Sequence, residues 1–122
     1  MAEEPGPAFV ALGLLHARGQ GVPQDYVKAR EFFEKSATMT DSQKNLALMY
    51  AQGLGVPQDY VIAHQWFEKA AALGEHSAFT NLGALYEHGY GIAPDKNKAK
   101  ELYKKGCAED NQQGCYNYQA LN

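Results

Sequence analysis

The stretch GQGVPQD, from Gly19 to Asp25, recurs as GLGVPQD from Gly53 to Asp59 and as GYGIAPD from Gly89 to Asp95. Its first glycine suits the residue after a helix, because glycine enters the left-handed backbone region without steric cost. Its second glycine permits a tight reversal, and its aspartate can accept the free N–H groups that begin the next helix. The stretch therefore predicts a turn between two helices. The residues that build it are Gly19, Gly21, Asp25, Gly53, Gly55, Asp59, Gly89, Gly91 and Asp95.

Apolar residues around the turns recur at the same interval, which is 34 residues from Gly19 to Gly53 and 36 from Gly53 to Gly89. Within each copy they fall at helical spacing on both sides of the turn. A fixed period of this length is typical of repeat proteins. The pattern predicts an all-α chain, a short α/α solenoid with a single domain spanning residues 1–122. The expected repeats are 8–41, 42–77 and 78–113, followed by a half-repeat at 114–122. The expected helices are 6–18, 26–38, 42–52, 60–73, 76–88, 96–109 and 112–121.

Composition limits the partners of this chain. Its formal net charge of −3 argues against nucleic acid as the main partner. No apolar run approaches the ~20 residues of a membrane span, so membrane insertion is not expected. The first residues, MAEEPGP, lack the basic and apolar regions of a signal peptide, so none is expected in this chain. We expect a monomer.

The combined repeat pattern resembles that of the Sel-one-like repeat family, a relative of the tetratricopeptide repeat. The resemblance rests on A-x-x-x-L-G-x-x-Y before the turn and on A-x-x-W/F-F/Y-x-K-A-A after it. The second and third copies carry this pattern from Ser42 to Gly74 and from Ala78 to Cys107. His16 departs from it at the tyrosine position. The resemblance implies a right-handed superhelix in which the first helix of each repeat lines the concave side. It also implies a scaffold or adaptor that binds other proteins, and in bacteria frequently an exported one.

Cys107 and Cys115 carry a narrower resemblance, to the helical cysteine-rich branch of the same family. In that branch such a pair forms a disulfide between adjacent helices, and the proteins are periplasmic or secreted. This implies a disulfide and a periplasmic or secreted location here, with free thiols and a cytoplasmic location as the alternative. The branch carries the pair in most repeats, whereas this chain carries it once. The spacing fits neither a thioredoxin-type redox pair nor a zinc site.

No cofactor, metal site or catalytic group is predicted. The four histidines fall at different phases of the repeat, and the G-x-G turns lack the third glycine and the preceding strand of a phosphate-binding loop. Some helical cysteine-rich relatives are linked to β-lactam or peptidoglycan binding, so an envelope-directed hydrolase is one alternative. The absence of an S-x-x-K motif argues against it.

The candidate binding surface is the side of the first helices that the resemblance places on the concave side. We call it the first-helix face. Helical phase assigns to it Val10, Leu14, Arg18, Lys44, Asn45, Leu48, Gln52, Thr80, Asn81, Ala84, His88 and Tyr116. The recurring asparagines would either hydrogen-bond the backbone of a neighbouring helix or grip a bound chain. The sequence thus predicts a non-catalytic protein that binds a partner protein or peptide. A periplasmic inhibitor or immunity protein that neutralises a secreted toxin is an alternative form of this function.

Overall fold

A computed structural model describes residues 5–121 of the chain, and these residues form seven helices and no strand. Successive helices pack against each other along the chain, and each helix pair is joined by one copy of the glycine-rich turn. The predicted all-α solenoid is therefore confirmed. The helices are α1 Gly6–Arg18, α2 Tyr26–Lys35, α3 Thr40–Gln52, α4 Tyr60–Ala72, α5 His76–His88, α6 Lys96–Ala108 and α7 Gln112–Ala120.

The three turns share one set of hydrogen bonds. The first glycine of each turn ends the preceding helix in the left-handed conformation, with φ of 67° at Gly19, 71° at Gly53 and 73° at Gly89. The aspartate begins the next helix, and Asp25 accepts from the Lys28 N–H at 3.0 Å. Its own N–H donates back to the His16 carbonyl at 2.8 Å. Each turn is thereby tied to both helices, which fixes the angle within the pair.

Each helix pair packs closely because a small residue of the first helix faces a buried ring of the second. A Cβ atom at Gly13 would lie 2.6 Å from the Phe33 ring, and one at Gly83 would lie 2.6 Å from the Tyr103 ring. Phe33 and Tyr103 are almost fully buried. The Tyr103 hydroxyl donates to Glu87 Oε1 at 2.7 Å. Burial raises the pKa of Tyr103, and the hydrogen bond to Glu87 and its charge raise it further.

The link between the first two repeats differs from the prediction. The second helix was expected over 26–38 but ends at Lys35, and the third begins at Thr40 rather than at residue 42. The cause is Ser36, whose hydroxyl donates to the Phe32 carbonyl at 2.9 Å and so competes with continuation of the helix. Ser36 and Ser42 are both buried, and their hydroxyl oxygens lie 2.6 Å apart. The predicted ends at 73, 109 and 121 each extend one residue too far.

Removal of one of these two buried hydroxyl groups should cost more than removal of both. The aligned positions between the second and third repeats are Ala70 and Ala78, which are fully buried, so two alanines fit this contact. The Ser36 proton is engaged by the Phe32 carbonyl, so the hydroxyl of Ser42 donates to Ser36. Ser36→Ala leaves that buried donor without its acceptor and should lower the free energy of unfolding by about 1–2 kcal/mol. The double variant Ser36→Ala/Ser42→Ala should recover most of that loss. Urea denaturation of the wild type and the two variants measures both values, and a double variant less stable than Ser36→Ala would contradict the prediction.

Between repeats, the second helix of one pair packs against the first helix of the next. Leu46 of α3 packs with Phe33 of α2, and Leu82 of α5 packs with Phe67 of α4. The last helix, α7, packs against α6 and α5. Cys107 of α6 and Cys115 of α7 form a disulfide with a Cα–Cα distance of 4.5 Å. Among residues 5–121, no helix has the length and apolar character needed to cross a membrane.

Candidate partner-binding face

The residues of the first-helix face differ widely in exposure. Arg18, Gln52 and His88 are exposed at the last turn of their helices, and Tyr116 is 69% exposed on α7. Leu14, Leu48 and Ala84 are half-buried one turn earlier, where the two leucines pack on the core. The face therefore offers an apolar row flanked by a row of polar side chains.

Two residues predicted to lie on this face are not available to a partner. Val10 and Thr80 are each only 7% exposed. The Thr80 hydroxyl donates to Asn111 Oδ1 at 2.8 Å, so it belongs to the packing of α5 against α7. The assignment of both residues to a binding surface is wrong, because helical phase alone does not reveal which positions a neighbouring helix covers.

The recurring asparagines bond within their own helices. Asn45 Nδ2 donates to the Asp41 carbonyl at 2.7 Å, and Asn81 Nδ2 donates to the Ser77 carbonyl at 2.8 Å. Asn117 accepts through Oδ1 from Gln113 Nε2 at 2.9 Å. The predicted bond to the backbone of a neighbouring helix is thus wrong for Asn45 and Asn81. Asn117 contacts the neighbouring helix α6 through the side chain of Tyr103. The side-chain amides of Asn45 and Asn81 each use one N–H group in the bond within their own helix. No hydrogen bond within residues 5–121 uses their Oδ1 atoms.

Positive charge predominates on the first-helix face, although the whole chain carries a net charge of −3. Arg18 is exposed and has no carboxylate of residues 5–121 within ion-pair distance. Lys44 is half-buried, and its Nζ atom lies 4.0 Å from Glu75 Oε1. That contact is long, so the ammonium group can still receive a further anionic partner.

Sequence reasoning missed an aromatic stack beside His88. The His88 and Tyr90 rings have centroids 5.3 Å apart, and the Tyr90 and Tyr60 rings have centroids 4.8 Å apart. Tyr90 occupies the variable position of the third G-x-G turn and is 45% exposed. The repetition of the turn favoured a purely structural role for its residues. The tyrosine at the variable position of the third copy was the signal in the sequence that could have predicted an exposed ring there. The stack extends the first-helix face toward the turns.

The described residues offer no grouping suited to metal chemistry. Residues 5–121 contain no cluster of three or more His, Cys, Asp or Glu side chains that could hold a metal ion. The first-helix face and the adjoining stack carry an arginine and aromatic rings, which are residue types enriched in protein–protein interfaces.

The model of the Sel1 repeat matches three times, over residues 10–41, 40–75 and 77–111. The chain belongs to the Sel1 repeat family. This confirms the resemblance inferred from the turn and helix pattern. Proteins of this family are typically non-catalytic scaffolds that mediate protein–protein interactions. No curated protein matches the chain in sequence.

Solved structures support the Sel1 assignment. A protective antigen of uropathogenic Escherichia coli with an SLR fold is 37% identical, with a TM-score of 0.88 over 90% of this chain. This Sel1 chain covers 24% of that antigen. A Sel1 repeat protein from Oxalobacter formigenes is 32% identical, with a TM-score of 0.84, and the match covers 94% of this chain and 88% of that one. Cysteine rich protein B of Helicobacter pylori is 19% identical, with a TM-score of 0.74 and coverage of 91% and 90%, and shows the shared fold.

Proposed function

We propose that this Sel1 repeat protein is a non-catalytic scaffold whose first-helix face binds an extended, acidic segment of another protein. The observation that carries the proposal is the combination of Arg18 and Lys44 with the half-buried Leu14 and Leu48 on one surface of a chain that is acidic overall. Buried leucine surface supplies affinity, and the two cations favour a segment that bears carboxylates.

The asparagines fit an extended segment rather than a folded surface. Asn45 and Asn81 occupy equivalent positions in successive repeats, and each amide is oriented by its bond to the preceding helical turn. The free Oδ1 atom can accept a hydrogen bond from a backbone N–H group, and the second amide N–H can donate to a backbone carbonyl. An extended chain presents both groups, because no secondary structure of its own uses them.

We also propose that the protein acts outside the cytoplasm, in the periplasm or after secretion. The disulfide between Cys107 and Cys115 supports this, because disulfides persist in oxidising compartments and are rare in the cytosol.

The test is a charge reversal on the first-helix face. We expect Lys44→Glu/Leu48→Ser to weaken partner binding by about tenfold or more, because it replaces an attractive charge with a repulsive one and removes apolar contact. The intact protein serves as bait in an extract, captured proteins are identified by mass spectrometry, and the affinity of the purified candidate is measured by calorimetry. Affinity should also fall as salt is raised.

A matched variant separates the face from the overall charge. Lys104→Glu/Val61→Ser makes the same charge reversal and a similar change from an aliphatic residue to serine, at exposed positions on the second helices α6 and α4. Its affinity should equal that of the wild type. The proposal fails if the two double variants, both folded by circular dichroism, bind equally well. It also fails if binding is insensitive to salt, because the segment would then not be recognised by charge.

A further inference from the structure

The N-terminal end of the solenoid presents an apolar surface that the first-helix face does not include. We call it the N-terminal end face and define it by Phe9, Leu12, Leu15, Phe32 and Lys35. Leu12 and Leu15 are each 38% exposed. The Phe9 and Phe32 rings stack with centroids 6.0 Å apart, and Lys35 Nζ lies 5.7 Å from each centroid. Phe9, Leu12 and Leu15 follow one another at three-residue spacing on α1, so they lie on the same side of that helix.

The equivalent residues of later repeats are buried. Leu12 is 38% exposed, whereas Leu46 and Leu82 at the same position of the later repeats are 0% and 3% exposed. The position of Leu15 shows the same difference, because Met49 and Leu85 are buried there. The side chains are the same or similar in size, so the residue type does not cause the difference. The cause is the second helix of the preceding repeat, which covers α3 and α5 and has no counterpart before α1 within residues 5–121.

The third repeat shows what kind of helix covers such a face. Its counterparts of Phe9, Leu12, Phe32 and Lys35 are Phe79, Leu82, Leu102 and Lys105. They line one groove together with Glu68, Ala71 and Ala72 of α4. The covering helix thus supplies small side chains against the leucines, which lets the backbones approach closely. It also supplies a carboxylate on the side where the lysine lies.

The turn after α1 also differs from the later turns in whether a preceding repeat covers it. A Cβ atom at Gly55 would lie 2.7 Å from the carbonyl carbon of Tyr26, and one at Gly91 would lie 2.7 Å from that of Tyr60. These tyrosines begin the second helix of the preceding repeat. A Cβ atom at Gly21 would meet nothing within 4 Å. The contact surface for a preceding second helix is therefore formed at both ends of α1, and no helix of residues 5–121 covers it.

The exposed apolar residues of the N-terminal end face form a cluster rather than scattered single side chains. Clustered leucines and phenylalanines on a surface indicate an interaction site.

We propose that the N-terminal end face docks an amphipathic α-helix of a partner protein. The docked helix carries side chains of the same kinds as α4, in the same order. Such a helix begins with a tyrosine that packs on Gly21. It places paired alanines on Leu12 and Phe9, and it carries a glutamate toward Lys35 and Lys28. Lys28 and Lys35 hold the positions of Lys98 and Lys105, which line the same groove as Glu68 in the third repeat. The geometry of the repeat interface and the charge complementarity both point to this occupant.

The probe is a synthetic peptide of residues 59–74, DYVIAHQWFEKAAALG, titrated into the isotopically labelled full chain. Nuclear magnetic resonance should show shifts at Leu12, Leu15 and Gly21. Leu12→Glu should weaken binding by about tenfold or more, because it places a charge in an apolar contact. The control is Leu73→Glu in the full chain, which makes the same change outside the N-terminal end face at a leucine that is 57% exposed. It should leave binding unchanged. A peptide with Glu68→Lys should bind more weakly than the original.

Three results would overturn the proposal. The first is the absence of shifts up to about 1 mM peptide, a concentration that detects even weak complexes. The second is binding that survives Leu12→Glu in a variant shown by circular dichroism to be folded. The third is self-association in sedimentation equilibrium that Leu12→Glu abolishes, because the occupant would then be a second copy of this chain. None of these results bears on the first-helix face, so the two proposals fail separately.

Discussion

Replacement of Gly55 by alanine is expected to lower the free energy of unfolding by roughly 2–5 kcal/mol, whereas the same change at Gly21 should cost only about 1–2 kcal/mol. Both glycines have left-handed φ, 71° at Gly55 and 76° at Gly21, so both substitutions carry the same backbone strain. The difference arises from the neighbour. An alanine Cβ at residue 55 would lie 2.7 Å from a backbone atom of Tyr26, and one at residue 21 would meet nothing within 4 Å.

The contact at Gly55 cannot be relieved by a side-chain rotation, because the atom that the new Cβ would meet belongs to the first turn of α2. The first two repeats would have to separate, and the buried contact of Leu46 with Phe33 would loosen with them. Urea denaturation followed by the fluorescence of Trp66, the single tryptophan, measures the effect. Gly91→Ala serves as a second test, since its Cβ would meet Tyr60 at the same distance.

Losses of about 1–2 kcal/mol at both glycines would contradict this prediction. They would mean that backbone strain alone governs the turn and that the approach of successive repeats adds nothing. Losses of roughly 2–5 kcal/mol at both glycines would instead indicate that another element covers Gly21 in solution. The pair of variants therefore tests the repeat interface and the openness of that end in one experiment.

The fold was predictable from sequence because its determinants are local and repeated. A left-handed glycine and a capping aspartate act within a few residues, so three copies of one turn place the helices. The ends of α2 were missed because Ser36 stops the helix through a hydroxyl bond to the Phe32 carbonyl. A serine near the end of a helical pattern is compatible with continuation as well as with termination.

The candidate face was predictable only in part, because exposure depends on the neighbouring repeat. Thr80 has the helical phase of an exposed residue, yet its hydroxyl bonds to Asn111, which lies 31 residues further along the chain. The stack of Tyr60 on Tyr90 likewise joins two repeats. Periodicity within one helix carries no information on such contacts, whereas the positions of Leu48 and Lys44 follow from phase alone.

Removal of the disulfide should lower the free energy of unfolding by about 2–3 kcal/mol, the value that the chain-entropy model gives for a short loop. Cys107 and Cys115 are eight residues apart in sequence and join α6 to α7. The last helix has nine residues, too few for a stable isolated helix, and it packs mainly on α6 and α5. We expect Cys107→Ala/Cys115→Ser to release α7 first, with hydrogen exchange rising there before the earlier helices are affected.

Reduced wild type is the matched control, because it lacks the bond but keeps both side chains. Its stability should equal that of the double variant, and the hydroxyl of Thr80 should lose its bond to Asn111 as α7 detaches. Protein purified from its native compartment without reductant and then denatured should not react with a thiol alkylator. Labelling of both cysteines in that protein would contradict the disulfide, and with it the proposed location outside the cytoplasm. Equal stability of the oxidised and reduced proteins would instead mean that the packing of Gly114 against Thr80 and Tyr103 holds α7 without the bond.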